Sequence, residues 1–221
     1  MHGFDFDLAH MLAGGLVLVS LAMLYQDRLY SLINMLALHA LVLALSVAWQ
    51  AYIQGAPHLY ITAVIAIGFK AIAVPMALRR MVFRLGIHRE IENVVGVGFT
   101  MLAGIGLIAL SLVVMLPATT HADPIAREDI ALALSVVLIG LLMMVTRRNA
   151  VSQVAGFMSL ENGIALAATG ARGMPLVVEF SVAFSILIAF IVIGIFLFRI
   201  RERFDTVDVQ ALDRFRGERQ R

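Results

Sequence analysis

Cysteine is absent from the chain, which excludes disulfides, thiolate ligands for iron–sulfur clusters and thiol catalysis. Charge is scarce as well: 14% of residues are Asp, Glu, Lys or Arg, against about a quarter in ordinary soluble domains. There is one tryptophan and one lysine, Lys70. The remaining sixteen basic residues are arginines in short loops and a C-terminal tail, a membrane-topology pattern that argues against a nucleic-acid-binding stripe. The opening MHGFDFD has no Lys or Arg, so it lacks the positive region of a signal peptide, and the first apolar run is expected to remain in the mature protein.

What is abundant is apolar length: 61% of the 221 residues are hydrophobic. A bilayer core of about 30 Å takes ~20 apolar residues per helix. Seven runs qualify, at about 8–24, 29–53, 58–82, 94–117, 128–146, 150–170 and 174–199. They are separated by breaks carrying charges, Gly or Pro, such as Gln26-Asp27-Arg28, Gly55-Ala56-Pro57, Thr119 to Asp129 and Arg147-Arg148-Asn149. The expected fold is all-α and polytopic, a seven-helix membrane domain over residues 1–203 followed by a charged tail over 204–221. Seven spans put fourteen of the sixteen arginines on one side, leaving Arg127 and Arg172 on the other. By the positive-inside rule this predicts an outer N-terminus and a cytoplasmic C-terminus.

Spans one to three and five to seven share a plan, so the domain reads as two parallel three-helix units joined by span four. Gly96, Gly98, Gly104 and Gly106 in span four read as small residues for close helix packing. The segment from Arg80 to Glu92 mixes apolar and basic residues as an interfacial helix does, and a solvated basic loop reads equally well.

Ionisable side chains at mid-bilayer cost a few kcal/mol each and therefore mark candidate functional sites. Lys70 lies about 18 Å along span three at 1.5 Å per residue, too deep to snorkel easily; its alternative role is a structural ion pair with a carboxylate. Glu161, in the SLENG of span six, sits at nearly the same depth, where it is either a proton carrier or a neutral acid bonded to a neighbouring helix. Asn162 beside it points to another face and reads as helix glue. Glu179 in span seven lies about 6 Å farther out by the same rise, with pairing to Arg172 as its rival role. His39 holds in span two the place that Glu161 holds in span six, and a packing histidine is the alternative there. Together the four occupy a slab on spans two, three, six and seven, the layout of a lateral proton wire.

The string MSLENGIALAATG and the following PLVVEF resemble the central glutamate helix of the complex I K subunit and the Mrp antiporter C subunit. FKAIAVPMAL around Lys70, the ENG of span six, LVVEF in span seven and the tail TVDVQAL together look like hydrogenase-4 component E, a membrane subunit of formate hydrogenlyase and other group 4 nickel–iron hydrogenases. The resemblance runs from about span three to the C-terminus and agrees in length and span count. It implies a non-catalytic subunit of an oxidoreductase complex in the bacterial cytoplasmic membrane, set between antiporter-like subunits and the redox arm. Buried residues, Glu161 first, would belong to a proton path. This chain would hold no cofactor, the nickel–iron centre and iron–sulfur clusters lying in partner chains. A second acid of the K subunit corresponds to the stretch around Ser185 and Ile188, which is not acidic here, so Glu179 does not take its place by alignment.

Two other classes compete. A self-contained ion or metabolite transporter would use the same charges to bind a substrate, but it calls for broken helices, and Pro75 and Pro175 read as lying near span ends. A structural scaffold would use the charges only to pair helices. A retinal protein needs its lysine in the last helix within an aromatic pocket, and a membrane cytochrome needs histidine pairs at matched depth, where only His39 is central.

Overall fold

The computed structural model describes residues 2–85, 95–120 and 124–170, and within them every predicted apolar run is a helix, with no strand among the described residues. In order these are α1 (His2–Tyr25), α2 (Leu29–Gln54), α3 (Pro57–Ile65), a π-helical segment (Ala66–Ala73), α4 (Val74–Leu85), α5 (Val97–Ala118), α6 (Pro124–Thr146) and α7 (Ala150–Gly170). Among the described residues, five helical stretches are long and apolar enough to cross a membrane: Asp5–Tyr25, Leu29–Gln54, Pro57–Phe83, Val97–Ala118 and Arg127–Thr146. Span seven, Glu179, Arg172, the tail and all but the first residues of the Arg80 to Glu92 segment lie outside the described residues.

Local chemistry sets the breaks. Gly55 ends α2 in the left-handed conformation (φ 61°), a position at which a Cβ is strained, and the last turn of α2 closes with the Ala56 N–H bonding the Ala51 carbonyl at 3.0 Å. Pro57 then opens α3, where a missing N–H costs nothing. The Asn149 side chain accepts from the Val151 N–H at 2.8 Å, capping α7.

Helices α1, α2, α7 and α6 form a closed ring in which each packs on the next, with α3 to α4 against α2 and α5 against α6 and α1. Consecutive helices α1 and α2 pack on each other, as do α6 and α7. Large apolar side chains point outward, among them Leu18, Ile61, Val64, Phe99, Leu102 and Val113, while Ser20, His39, Lys70, Glu161 and Asn162 are buried. A helical bundle with its apolar groups outside and its polar groups inside is a membrane protein. Helix α7 falls outside the five most apolar stretches because Ser152, Ser159, Glu161 and Asn162 face the interior.

Two details go beyond expectation. Among the described residues, Gly104 of span four packs on Leu24, Leu21 and Leu142, while no described atom lies within 4 Å of a Cβ at Gly96, Gly98 or Gly106. A tighter seam lies on α6 and α7, where a Cβ at Gly140 would stand 2.6 Å from the Leu160 nitrogen and one at Gly163 would stand 2.9 Å from the Ala133 oxygen. Without a hydrophobic drive between helices in lipid, such backbone approach is what holds a pair together. Pro75, moreover, lies inside the continuous Pro57–Phe83 helix rather than near its end, directly after the π-helical segment. Its ring crowds the carbonyl four residues earlier and offers it no N–H, and a wider turn relieves both problems.

Replacing Gly140 by Ala is expected to cost ~1–3 kcal/mol through overpacking and to lower the melting midpoint in detergent, while Gly14→Ala, with open space around it, leaves melting unchanged. Equal melting of the two variants would mean that α6 and α7 do not make this contact.

Candidate functional site: a buried polar chain at mid-membrane

Lys70 projects from the π-helical segment to α7, where its Nζ donates to Glu161 Oε1 at 2.8 Å and to Asn162 Oδ1 at 3.1 Å. Adjacent residues on a helix point about 100° apart, and a flexible stem with three donors lets one lysine serve both. Asn162 Nδ2 reaches His39 Nδ1 on α2 at 2.9 Å. His39 Nε2 is 2.8 Å from Ser20 Oγ on α1 and 3.5 Å from Ser159 Oγ on α7, and Ser20 Oγ also donates to the Leu16 carbonyl at 3.0 Å. Three of the four residues singled out from depth alone, His39, Lys70 and Glu161, thus belong to one hydrogen-bonded chain; Glu179 lies outside the described residues.

Asn162 is helix glue as expected, bonding from α7 to both the π-helical segment and α2, and it is also the link that joins Lys70 to His39. Ser20 and Ser159 were not singled out, because a lone serine in an apolar helix usually bonds its own backbone. Lys70 and Glu161 are each 5% exposed, and His39 and Asn162 are fully enclosed. Glu161 Oε2 is buried with no partner among the described residues.

Both ends of the bundle are tied by polar groups. At one end the Arg147 guanidinium donates to the Leu24 carbonyl at 2.6 Å, bonding a backbone oxygen at the C-terminus of α1 that has no partner within the helix. Arg79 pairs with Asn34 at this same end, so the structure gathers Arg28, Arg79 and Arg147 as the charge pattern requires. At the other end Gln50 donates to Asp129 Oδ2 at 2.9 Å, Gln54 donates to the Thr169 carbonyl at 2.8 Å, and His10 pairs with Glu128. Asp129, placed in a break by the sequence, is a buried residue of α6. Gln50 and Gln54, one turn apart on the inward face of α2, were the available signal for it.

Taking one partner from a buried ion pair leaves the other uncompensated, so Lys70→Met and Glu161→Gln are each expected to cost ~3–5 kcal/mol, with the double variant recovering most of the loss. Denaturant unfolding in mixed micelles reads this out; strictly additive losses would mean the two side chains do not pair.

No family model matches the chain, and no solved structure does. The uncharacterized protein Rv0085 of Mycobacterium tuberculosis is 31% identical to it over 206 residues, covering 92% of this chain and 94% of that protein. The similarity extends over nearly the whole length of both proteins, and the chain belongs to the family of uncharacterized protein Rv0085.

Proposed function

We propose that this protein is a seven-span membrane subunit of a multisubunit hydrogenase-like or complex I-like respiratory complex, and that its buried ionisable residues carry protons along the membrane midplane. The carrying observation is the continuity of the chain from Glu161 through Lys70, Asn162 and His39 to Ser20. Buried ionisable groups in a bilayer are retained against a cost of several kcal/mol, and here they are joined end to end rather than scattered.

In this reading Glu161 and Lys70 exchange a proton across a short contact, and Oε2 of Glu161, which has no partner among the described residues, is the point at which a proton arrives or leaves. His39 is the next acceptor, and Glu179 is assigned to the same path on sequence grounds. The arginine-rich end faces the cytoplasm of a bacterial cell and the N-terminus faces outward. Antiporter-like membrane subunits flank the protein, and partner chains hold the nickel–iron centre and the iron–sulfur clusters, so this chain performs no redox step itself.

Proton translocation coupled to turnover, measured in membrane vesicles that hold the assembled complex, is expected to fall to a small fraction of wild type in Glu161→Gln and in Lys70→Met while the partner subunits still co-purify. Unchanged pumping in both variants would remove the residues from the path and leave a scaffold. Substrate or ion uptake by the purified chain alone in liposomes would instead indicate a self-contained transporter.

A further inference from the structure

The hydrogen bonds around Asn162 have a fixed polarity. An ammonium group has donors only, so the atom of Asn162 facing Lys70 Nζ at 3.1 Å must be the carbonyl oxygen. The amide NH2 then faces His39 Nδ1 at 2.9 Å and is a donor, which makes Nδ1 an acceptor without a proton. The one ring proton of His39 therefore sits on Nε2, which donates to Ser20 Oγ, and Ser20 passes its own proton on to the Leu16 carbonyl. Every bond from Lys70 to α1 points the same way.

We infer that Asn162 is a positioning residue that couples the two proton sites, its single amide permitting a proton on His39 Nδ1 only when the Lys70 ammonium no longer bonds its carbonyl. The inference rests on the proton-path reading for its purpose but not for its geometry. A proton on Nδ1 turns that atom into a donor facing an NH2, two donors in contact. Relief requires the Asn162 amide to turn over, which would aim the NH2 at Lys70. That arrangement is tolerated when Lys70 has passed its proton to Glu161 and presents a lone pair, or when it has swung away. Among the described residues, Lys70 and Glu161 are the charged groups in the hydrogen-bonded chain reaching His39; α1 and α7 add the hydroxyls of Ser20 and Ser159, and Arg79 of α4 bonds Asn34 at the bundle end. One positive charge, not two, is thereby held in the low-dielectric slab at any moment.

The test is nitrogen-15 NMR of the full chain in lipid nanodiscs with labelled histidine, the His39 signals being those missing from His39→Gln. Wild type is expected to show Nδ1 bare and Nε2 protonated. In the near-isosteric Asn162→Asp both side-chain oxygens accept, so Nδ1 is expected to gain a proton; in Lys70→Met the amide is free to turn, and a mixture of both ring forms is expected. A protonated Nδ1 in the wild type, a bare Nδ1 in Asn162→Asp, or a single unchanged form in Lys70→Met overturns the inference. Where Asn162→Asp does not fold, the Lys70→Met spectrum decides. These signals involve no transport, so a chain that shows them yet pumps normally without Lys70 and Glu161 would refute the proton path and leave the coupling standing.

Discussion

A polar group inside a bilayer has no water to turn to, and the interior of this protein is arranged around that fact. Lysine brings three donors and glutamate two acceptors into a region where neither finds solvent, so leaving them unmet is costly and other side chains are drawn in. The Lys70–Glu161 contact at 2.8 Å meets the largest part of that demand, and Asn162 takes a further donor. The need then passes along, since the Asn162 amide must find an acceptor and finds His39, which must find an acceptor in turn and finds Ser20. The chain of bonds that satisfies these groups is also the one that the proposed proton path would use.

The helices are placed to serve this chain. The ring of α1, α2, α7 and α6 presents His39, Ser20, Ser159 and Asn162 to a common interior, and the π-helical turn carries Lys70 in from outside the ring. Backbone contact between α6 and α7 at Gly140 and Gly163 holds the helix bearing Glu161 against its neighbour. Polar ties at the two ends, Arg147 to the C-terminus of α1 and Gln50 to Asp129, close the bundle above and below the site.

Much of this is legible in the sequence, and the illegible part has a single cause. Apolar run length located the helices that are described here, and depth along each run picked out His39, Lys70 and Glu161, because cost in a bilayer depends on depth and depth is a matter of counting. Which faces meet is not a matter of counting. Lys70 and Glu161 are 91 residues apart and Ser20 and Ser159 are 139 apart, and one sequence carries no signal that pairs them. For that reason the sequence shows neither that Asn162 joins Lys70 to His39, nor that Gln50 meets Asp129, nor that α6 and α7 approach at Gly140 and Gly163. The displacement of hydrogen bonds around Pro75 into the π-helical segment was likewise hidden, because a proline signals a broken bond but not on which side the helix accommodates it.

The proposed proton path requires Glu161 to change its protonation during turnover of the proposed complex. Infrared difference spectroscopy of the assembled complex, triggered by its electron donor, reads that change directly, with the Glu161→Gln variant identifying the band. The account predicts a carboxyl band that appears or vanishes on turnover and is missing from the variant. A spectrum in which wild type and Glu161→Gln are indistinguishable would contradict it.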